Sequence, residues 1–345
     1  MKGRDCIMNS DKQREFTEPG PVLDKNGSPI PGYSTKSILN YNRKAIKAPP
    51  YRIKEWDFYQ VTDDRMCLQF TIGHASYAGQ VGIMLFDFRK GEKLAEKGTF
   101  LVLPFGSMNM PMDGEADHVI SYRKKSGEMR FEAMKNQRHL YCKWDDFEAD
   151  ILLTRQNENS LVINVPFDES PKAFYYNQKI NCMKAEGFVR YNGDSRYTFL
   201  QENSFGILDW GRGVWPFHNE WYWSNGTGYI NDKIFGFNLG CGFGNTSIAT
   251  ENILFYGNTV HKLGDVMIER SENYIDPWHL YDREGRLDLT LTPLYDRTTR
   301  TKLLWVDNCC HQMFGEFSGR AVLDDGSELK IDKLVSFAEH AINNW

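Results

Sequence analysis

The sequence predicts a nearly all-β protein: two consecutive antiparallel β-barrel or sandwich domains behind an extended N-terminal arm. Three observations lead there. Apolar residues recur with a period of two. Two-residue turn signals separate the apolar runs at short, even spacing. Aromatic residues make up 14% of the chain, a surplus that suits pleated surfaces. A chain of 345 residues is long for one core, so two are expected.

Residues 1–50 read as the arm. The segment EPGPVLDKNGSPIPGYSTK holds too much Pro and Gly for a helix or a central strand, and Asn26-Gly27 marks a turn within it. Residues 51–187 read as the first barrel. Leu68, Phe70 and Ile72 share one strand face, Val81, Ile83 and Leu85 the next, and Leu161, Ile163, Val165 and Phe167 a later one. Asp113-Gly114 and Ser126-Gly127 supply turns between them. Residues 188–345 read as the second barrel, with hairpins expected around Asn192-Gly193, Asn225-Gly226 and Asp325-Gly326. The C-terminal run is ambiguous. Leu334, Phe337, Ala338, Ala341, Ile342 and Trp345 suit a helical face, while a strand over 334–339 would turn Glu339 inward.

Composition excludes several classes. A net charge of −5 with scattered basic residues is no footprint for nucleic acid. The short run Arg297, Arg300, Lys302 reads as a solvated turn. No stretch of 18 apolar residues exists, so no integral membrane span is expected. The start, MKGRDCIMNSDKQREF, lacks the apolar core of a secretion signal. Seven cysteines, an odd number with no C-x-x-C pair, read as free thiols of a cytoplasmic protein. Dispersed histidines predict no metal site, and no cofactor or nucleophile motif is present.

The densest chemistry lies between Ser204 and Lys262. SFGILDWGRGVWPFHNEWYWSNGTG carries Asp209, Trp210, Arg212, Trp215, Trp221 and Trp223. On a regular strand Asp209 and Gly211 face one way, Trp210 and Arg212 the other. A bend at Gly211 or Gly213 would instead let Asp209 meet Arg212 as an ion pair. Trp221 and Trp223 share a face with Tyr222 opposite. Next, FGFNLGCGFGN puts Asn238, Gly240 and Gly242 on one strand face, a small-residue surface that admits a bulky ring or a ligand. Gly244 would continue that face, with Leu239, Cys241 and Phe243 opposite. Its glycine spacing is not that of a phosphate loop. Glu251 and His261 follow as candidate pocket polars, and His311-Gln312 could point inward. The competing interpretation is structural: an Asp209–Arg212 pair closing a barrel end, with tryptophans as core plugs.

Through LDWGRGVWPF, WYW, GFNLGCGFGN, ATEN and HKL the chain resembles a bacterial family catalogued as domain of unknown function 2804. EPGPVLD, GYSTKSILNYNRKAIKAPPYRIKEWDFYQV, YYNQKINCMKAEGFV and HQMFGEFSGRAVLDDG extend that likeness over nearly the whole chain. The family carries no assigned reaction. More distantly the layout is similar to tandem lipocalin-like proteins of the carotenoid 1,2-hydratase type. That likeness implies two calycin barrels with a hydrophobic cavity at or between them, and transfers no catalytic residue.

Three functions follow as expectations. The first is a cofactor-independent lyase or isomerase, of hydratase or cyclase type, acting on a hydrophobic or amphipathic small molecule such as a terpenoid or lipid. Asp209 would be the buried acid, Arg212 its orienting partner, and Glu251 or His261 would place water or recover the proton. Trp210, Trp215, Trp221 and Trp223 would hold a cation by their ring faces, with Asn238, Gly240 and Gly242 lining the pocket. An adjacent Arg212 opposes the acid role, because it favours the ionised carboxylate. The second is a non-catalytic carrier of a hydrophobic ligand; the third is carbohydrate binding or processing.

Overall fold

A computed structural model describes residues 9–104, 107–193, 195–303 and 306–344. Cys6 and Trp345 lie outside the described residues. The described chain has no α-helix, only strands and three single-turn 3₁₀ segments in the N-terminal arm. Among the described residues no helix is long and apolar enough to cross a membrane.

Two curled antiparallel sheets make up most of the described chain, and Gly20–Pro21 and Leu39–Asn40 of the arm form a short parallel pair. In hydrogen-bonded order, the first runs Glu92–Val102, Ala78–Asp87, Met66–His74, Lys54–Thr62, Phe205–Val214, Ser170–Tyr191, Phe147–Thr154, Gln137–Trp144, Gly127–Met134, His118–Lys124. Leu161–Phe167 and Ser195–Phe199 pair with opposite ends of the long Ser170–Tyr191 strand, and Gly32–Ser34 of the arm adds to Leu161–Phe167. The second runs Thr259–Lys262, Ile253–Tyr256, Lys233–Cys241, His218–Ile230, Glu328–Asn344, Val306–Val322, Leu287–Leu303, Trp278–Asp282, Val266–Glu269. The expected boundary at 187–188 falls inside the Ser170–Tyr191 strand. The chain changes sheet between Val214 and His218 instead, so the stretch carrying Asp209, Trp210 and Arg212 is a central strand of the first sheet.

Alternation decides the layers. Leu68, Phe70, Ile72, Val81, Ile83 and Leu85 fill the concave interior of the first sheet. The second has its own interior around Phe237, Trp278, Leu289 and Phe317. A third layer lies between the sheets, where their outer faces meet. Leu161, Ile163, Val165, Phe167, Tyr175 and Trp215 pack there against Phe243, Ile253 and Phe255. Beside them Met84, Phe86 and Ile207 pack against Trp223, Phe314 and Phe337.

Several local expectations are corrected. Asn225-Gly226 is not a hairpin. The strand runs unbroken from His218 to Ile230, and the turn falls at Asn231 and Asp232, both at positive φ. Gly226 sits mid-strand because a Cβ there would collide with Phe237 and Leu334. The C-terminus is strand, not helix: Glu328–Asn344 pairs on both sides, and a helix would leave both neighbours' ladders open. Arg297, Arg300 and Lys302 lie in a strand, where Arg297 binds Glu96 and Arg300 binds Asp307. The turns at Asn26-Gly27, Asn192-Gly193 and Asp325-Gly326 form as expected, each glycine at positive φ.

Candidate functional site

The Phe205–Val214 strand is regular, and its alternation separates Asp209 from Arg212. Arg212 points into the first barrel. Its guanidinium donates to Asp57 Oδ1 at 2.9 Å and to the carbonyls of Trp56, Gly211 and Pro111, and it lies 3.8 Å from the Trp210 ring centre. Trp210 is buried on the same side between Tyr41 and Tyr176. The expected Asp209–Arg212 pair therefore does not form. Gly211 and Gly213 make no bend. They leave room where Cβ atoms would overlap the Trp56 indole and the Phe174 carbonyl. Arg212 and Trp210 are part of the first barrel's interior packing.

Asp209 faces the space between the sheets. Its partners come from the neighbouring Ser170–Tyr191 strand: Lys179 Nζ at 3.0 Å and Asn177 Nδ2, which donates to Oδ1 at 2.6 Å. Lys179 also reaches Glu251 Oε2 at 3.6 Å and lies 4.3 Å from the Trp223 ring centre. Across the gap, Gln312, Glu339, Trp223 and Gly240 form one register row of the second sheet. Glu339 accepts from Trp221 Nε1 at 2.8 Å and from Gln312 Nε2 at 3.0 Å. Trp223 Nε1 donates to Asn238 Oδ1 at 2.8 Å, and Asn238 Nδ2 donates to the Glu251 carbonyl at 2.7 Å. A Cβ on Gly240 would overlap the Glu251 carboxylate, so the glycine makes room for the acid.

Two carboxylates, Asp209 and Glu251, thus share one lysine in the layer between the sheets, with Glu339 held nearby by Trp221 and Gln312. Asp209, Glu251 and Glu339 are each 8% exposed. Trp56, Phe58, Trp221 and Cys310 are half-buried around them. Burial raises Glu251 above the ordinary glutamate range, and Asp209 adds to the rise against the pull of Lys179. Burial likewise raises Glu339, opposed by its bonds to Gln312 and Trp221. The Tyr175 phenol is pushed well up by burial and then by Glu251, Asp209 and Glu339 together. The arrangement brings together two carboxyls whose pKa burial raises, a lysine-bound carboxylate and indole faces.

Of the sequence candidates, Asp209, Glu251, Trp221, Trp223, Asn238 and Gly240 converge here. Trp215 lies in the adjoining aromatic layer against Trp56 and Phe243. His261 does not converge: it packs at the Asp325-Gly326 turn, with Nδ1 3.0 Å from Asp324 Oδ2. Gly242 does not line the space either. Lys233–Cys241 ends before it, and positive φ at Gly242 and Gly244 breaks the expected alternation. That break swings Phe243 into the layer between the sheets, against Tyr175, Trp215 and Trp221. Lys179, Asn177 and Tyr175 went unrecognised in the sequence. In the sequence YYNQKINC, the consecutive polar residues Asn177, Gln178 and Lys179 give no clear period, so nothing marked them out.

The family model described as "Domain of unknown function (DUF2804)" matches residues 13–345. The chain belongs to that family. No curated protein matches this DUF2804 sequence. Among solved structures, it is similar to kievitone hydratase from Nectria haematococca, with a TM-score of 0.52 and 11% identity over 99% of this chain and 98% of that one. It is also similar to a protein from Nitrosomonas europaea provisionally named AttH, with a TM-score of 0.51 and 11% identity over 84% and 92%. At that identity the likeness is one of fold: the DUF2804 chain shares the lipocalin-like tandem architecture of both.

Proposed function

We propose that the space between the sheets is the active site of a cofactor-independent lyase or isomerase. Its substrate is a neutral, largely apolar, unsaturated small molecule. The observation that carries the proposal is the grouping of Asp209 and Glu251 on Lys179, beside Trp223, with Glu339 bound to Trp221 close by. Three acids crowded with one base repel an anionic guest and keep protons on the most buried carboxyls.

The roles differ from those expected for Asp209. Glu251 or Glu339 is the proton donor, because burial holds each above the usual carboxylate range. An alkene π pair takes that proton and leaves a carbocation, which the rings of Trp221 and Trp223 stabilise. Water then adds and its proton returns to the carboxylate; in an isomerisation the neighbouring C–H proton passes to Asp209 instead. Asn238 ties the Trp223 N–H to Glu251, and Trp221 is tied to Glu339, so each ring is positioned by an acid's own hydrogen-bond network. That a protein of the same fold is named a hydratase supports the reading.

The test is proton transfer itself. Neutral unsaturated compounds such as geraniol, a polyene and a prenylated phenol are incubated with the protein in D₂O and followed by mass spectrometry. Deuterium uptake or hydration is expected from the native protein, falling about 10²–10⁴-fold in folded Glu251→Gln or Glu339→Gln. Native-like uptake in both variants overturns the assignment. So does an unchanged apolar ligand recovered by solvent extraction with no uptake from any compound, which assigns a carrier.

A further inference from the structure

We propose that one end of the molecule, where the chain crosses between the sheets, is a docking surface for an anionic lipid bilayer. The crossover segment carries Phe217, which is 49% exposed. Around it stand Tyr51 at 58%, Val102 at 74% and Leu103 at 52%. Backbone and side-chain bonds bring these segments together. Leu103 N donates to Tyr77 O, Ser76 Oγ donates to Pro50 O, and Arg52 Nη2 donates to Trp215 O. Single exposed apolar side chains are ordinary; four on segments joined at one end are not. Leu103 is held there at φ +52°, a conformation that a leucine rarely adopts.

Charge selects the partner. The segment from Tyr41 to Lys54 holds Arg43, Lys44, Lys47 and Arg52 before its last residue, and no acid, in a chain whose net charge is −5. Lys44 and Lys47 are exposed within ten residues before Tyr51 in the chain, and Arg52 is half-buried. Basic residues beside protruding aromatic and aliphatic side chains match an anionic headgroup layer over acyl chains.

The same end leads to the site. Phe100, Gln80, Gly73 and Trp56 form one register row across four adjacent strands, all on the sheet face that borders the site. Three strand spacings separate Phe100 from Trp56, roughly 14 Å. An apolar guest leaving a bilayer at Phe100 and Val102 would thus enter along the face that carries Trp56 and Asp209. This route rests on the reading of the site as taking an apolar molecule; the docking itself does not.

Vesicle co-sedimentation tests it, with phosphatidylcholine vesicles with and without phosphatidylserine. Sedimentation with the anionic vesicles, weakened by salt, is expected, with little on the neutral ones. Val102→Ser with Phe217→Ser, and separately Lys44→Glu with Lys47→Glu, are each expected to weaken binding about tenfold at unchanged Tm. The side chains are exposed, so the fold does not depend on them. No sedimentation with either vesicle, or sedimentation indifferent to both pairs of substitutions, overturns the proposal. So does self-association through this patch, read by analytical ultracentrifugation and abolished by Val102→Ser with Phe217→Ser, which would make a second copy the occupant. Deuterium uptake from a water-soluble substrate is expected to persist in both double variants, so failure of docking and failure of the active-site reading are separable.

Discussion

Replacing Lys179 with Met removes the one ammonium among Asp209, Glu251 and Glu339 while keeping the length of the stem. Lys179 is 3% exposed and Asp209 11% by side chain. At an effective dielectric of about 20, unit charges 3.0 Å apart attract by about 5 kcal/mol. Part of that offsets the cost of desolvating both groups, and truncating one partner of such a buried pair costs about 3–5 kcal/mol. Lys179→Met is therefore expected to lose about 3–5 kcal/mol at neutral pH. Adding Asp209→Asn removes the stranded charge, so the double variant should recover much of the loss rather than add to it. Urea unfolding followed by tryptophan fluorescence measures both, and Trp221 and Trp223 beside the site report locally. A single-variant loss below about 1 kcal/mol, or simple additivity in the double variant, would refute the claim that Lys179 is the shared counter-ion.

Other outcomes follow from the same geometry. Because burial raises Glu251 and Glu339 above their ordinary value of 4.5, the unfolded chain binds fewer protons than the folded one above that pH. Their contribution to stability is complete below pH 4.5 and is lost as pH rises through the folded values, so Glu251→Gln or Glu339→Gln should flatten that decline in a pH series of urea midpoints. Gly240→Ala should displace the Glu251 carboxylate, costing about 1–3 kcal/mol and most deuterium uptake, read by urea melts and mass spectrometry. Arg212→Lys loses a fork shared among Asp57 and three carbonyls and should destabilise by about 2–4 kcal/mol, yet leave deuterium uptake in the remaining folded protein intact. His261→Ala, at the far turn, should change uptake by less than about twofold.

Legibility in the sequence followed the range of the interaction. The alternation of Leu161, Ile163, Val165 and Phe167 marked a strand face, and those four residues do share one layer. Turn chemistry at Asn192-Gly193 and Asp325-Gly326 was equally local. It misled at Asn225-Gly226, where the glycine serves packing against Phe237 and Leu334 rather than a turn. For the site, Asp209, Glu251, Trp221 and Trp223 stood out by residue type. Lys179 and Asn177 did not, because a lysine inside an apolar strand reads as a surface residue until a carboxylate from another strand is beside it. Glu339 lies 130 residues beyond Asp209, and only the strand form of the C-terminus turns it inward.

Local periodicity and turn chemistry, which act over a few residues, were enough to determine the all-β class, most strand faces and the aromatic, acidic stretch that contributes to the site. Which strands lie side by side is a matter of pairing across long separations, and no local pattern encodes it. Tertiary structure therefore decided that the Phe205–Val214 strand joins the first sheet, that Arg212 turns away from Asp209, and that Lys179 meets both Asp209 and Glu251. A period of two says that neighbouring side chains part company; it does not say which of them will face the second sheet.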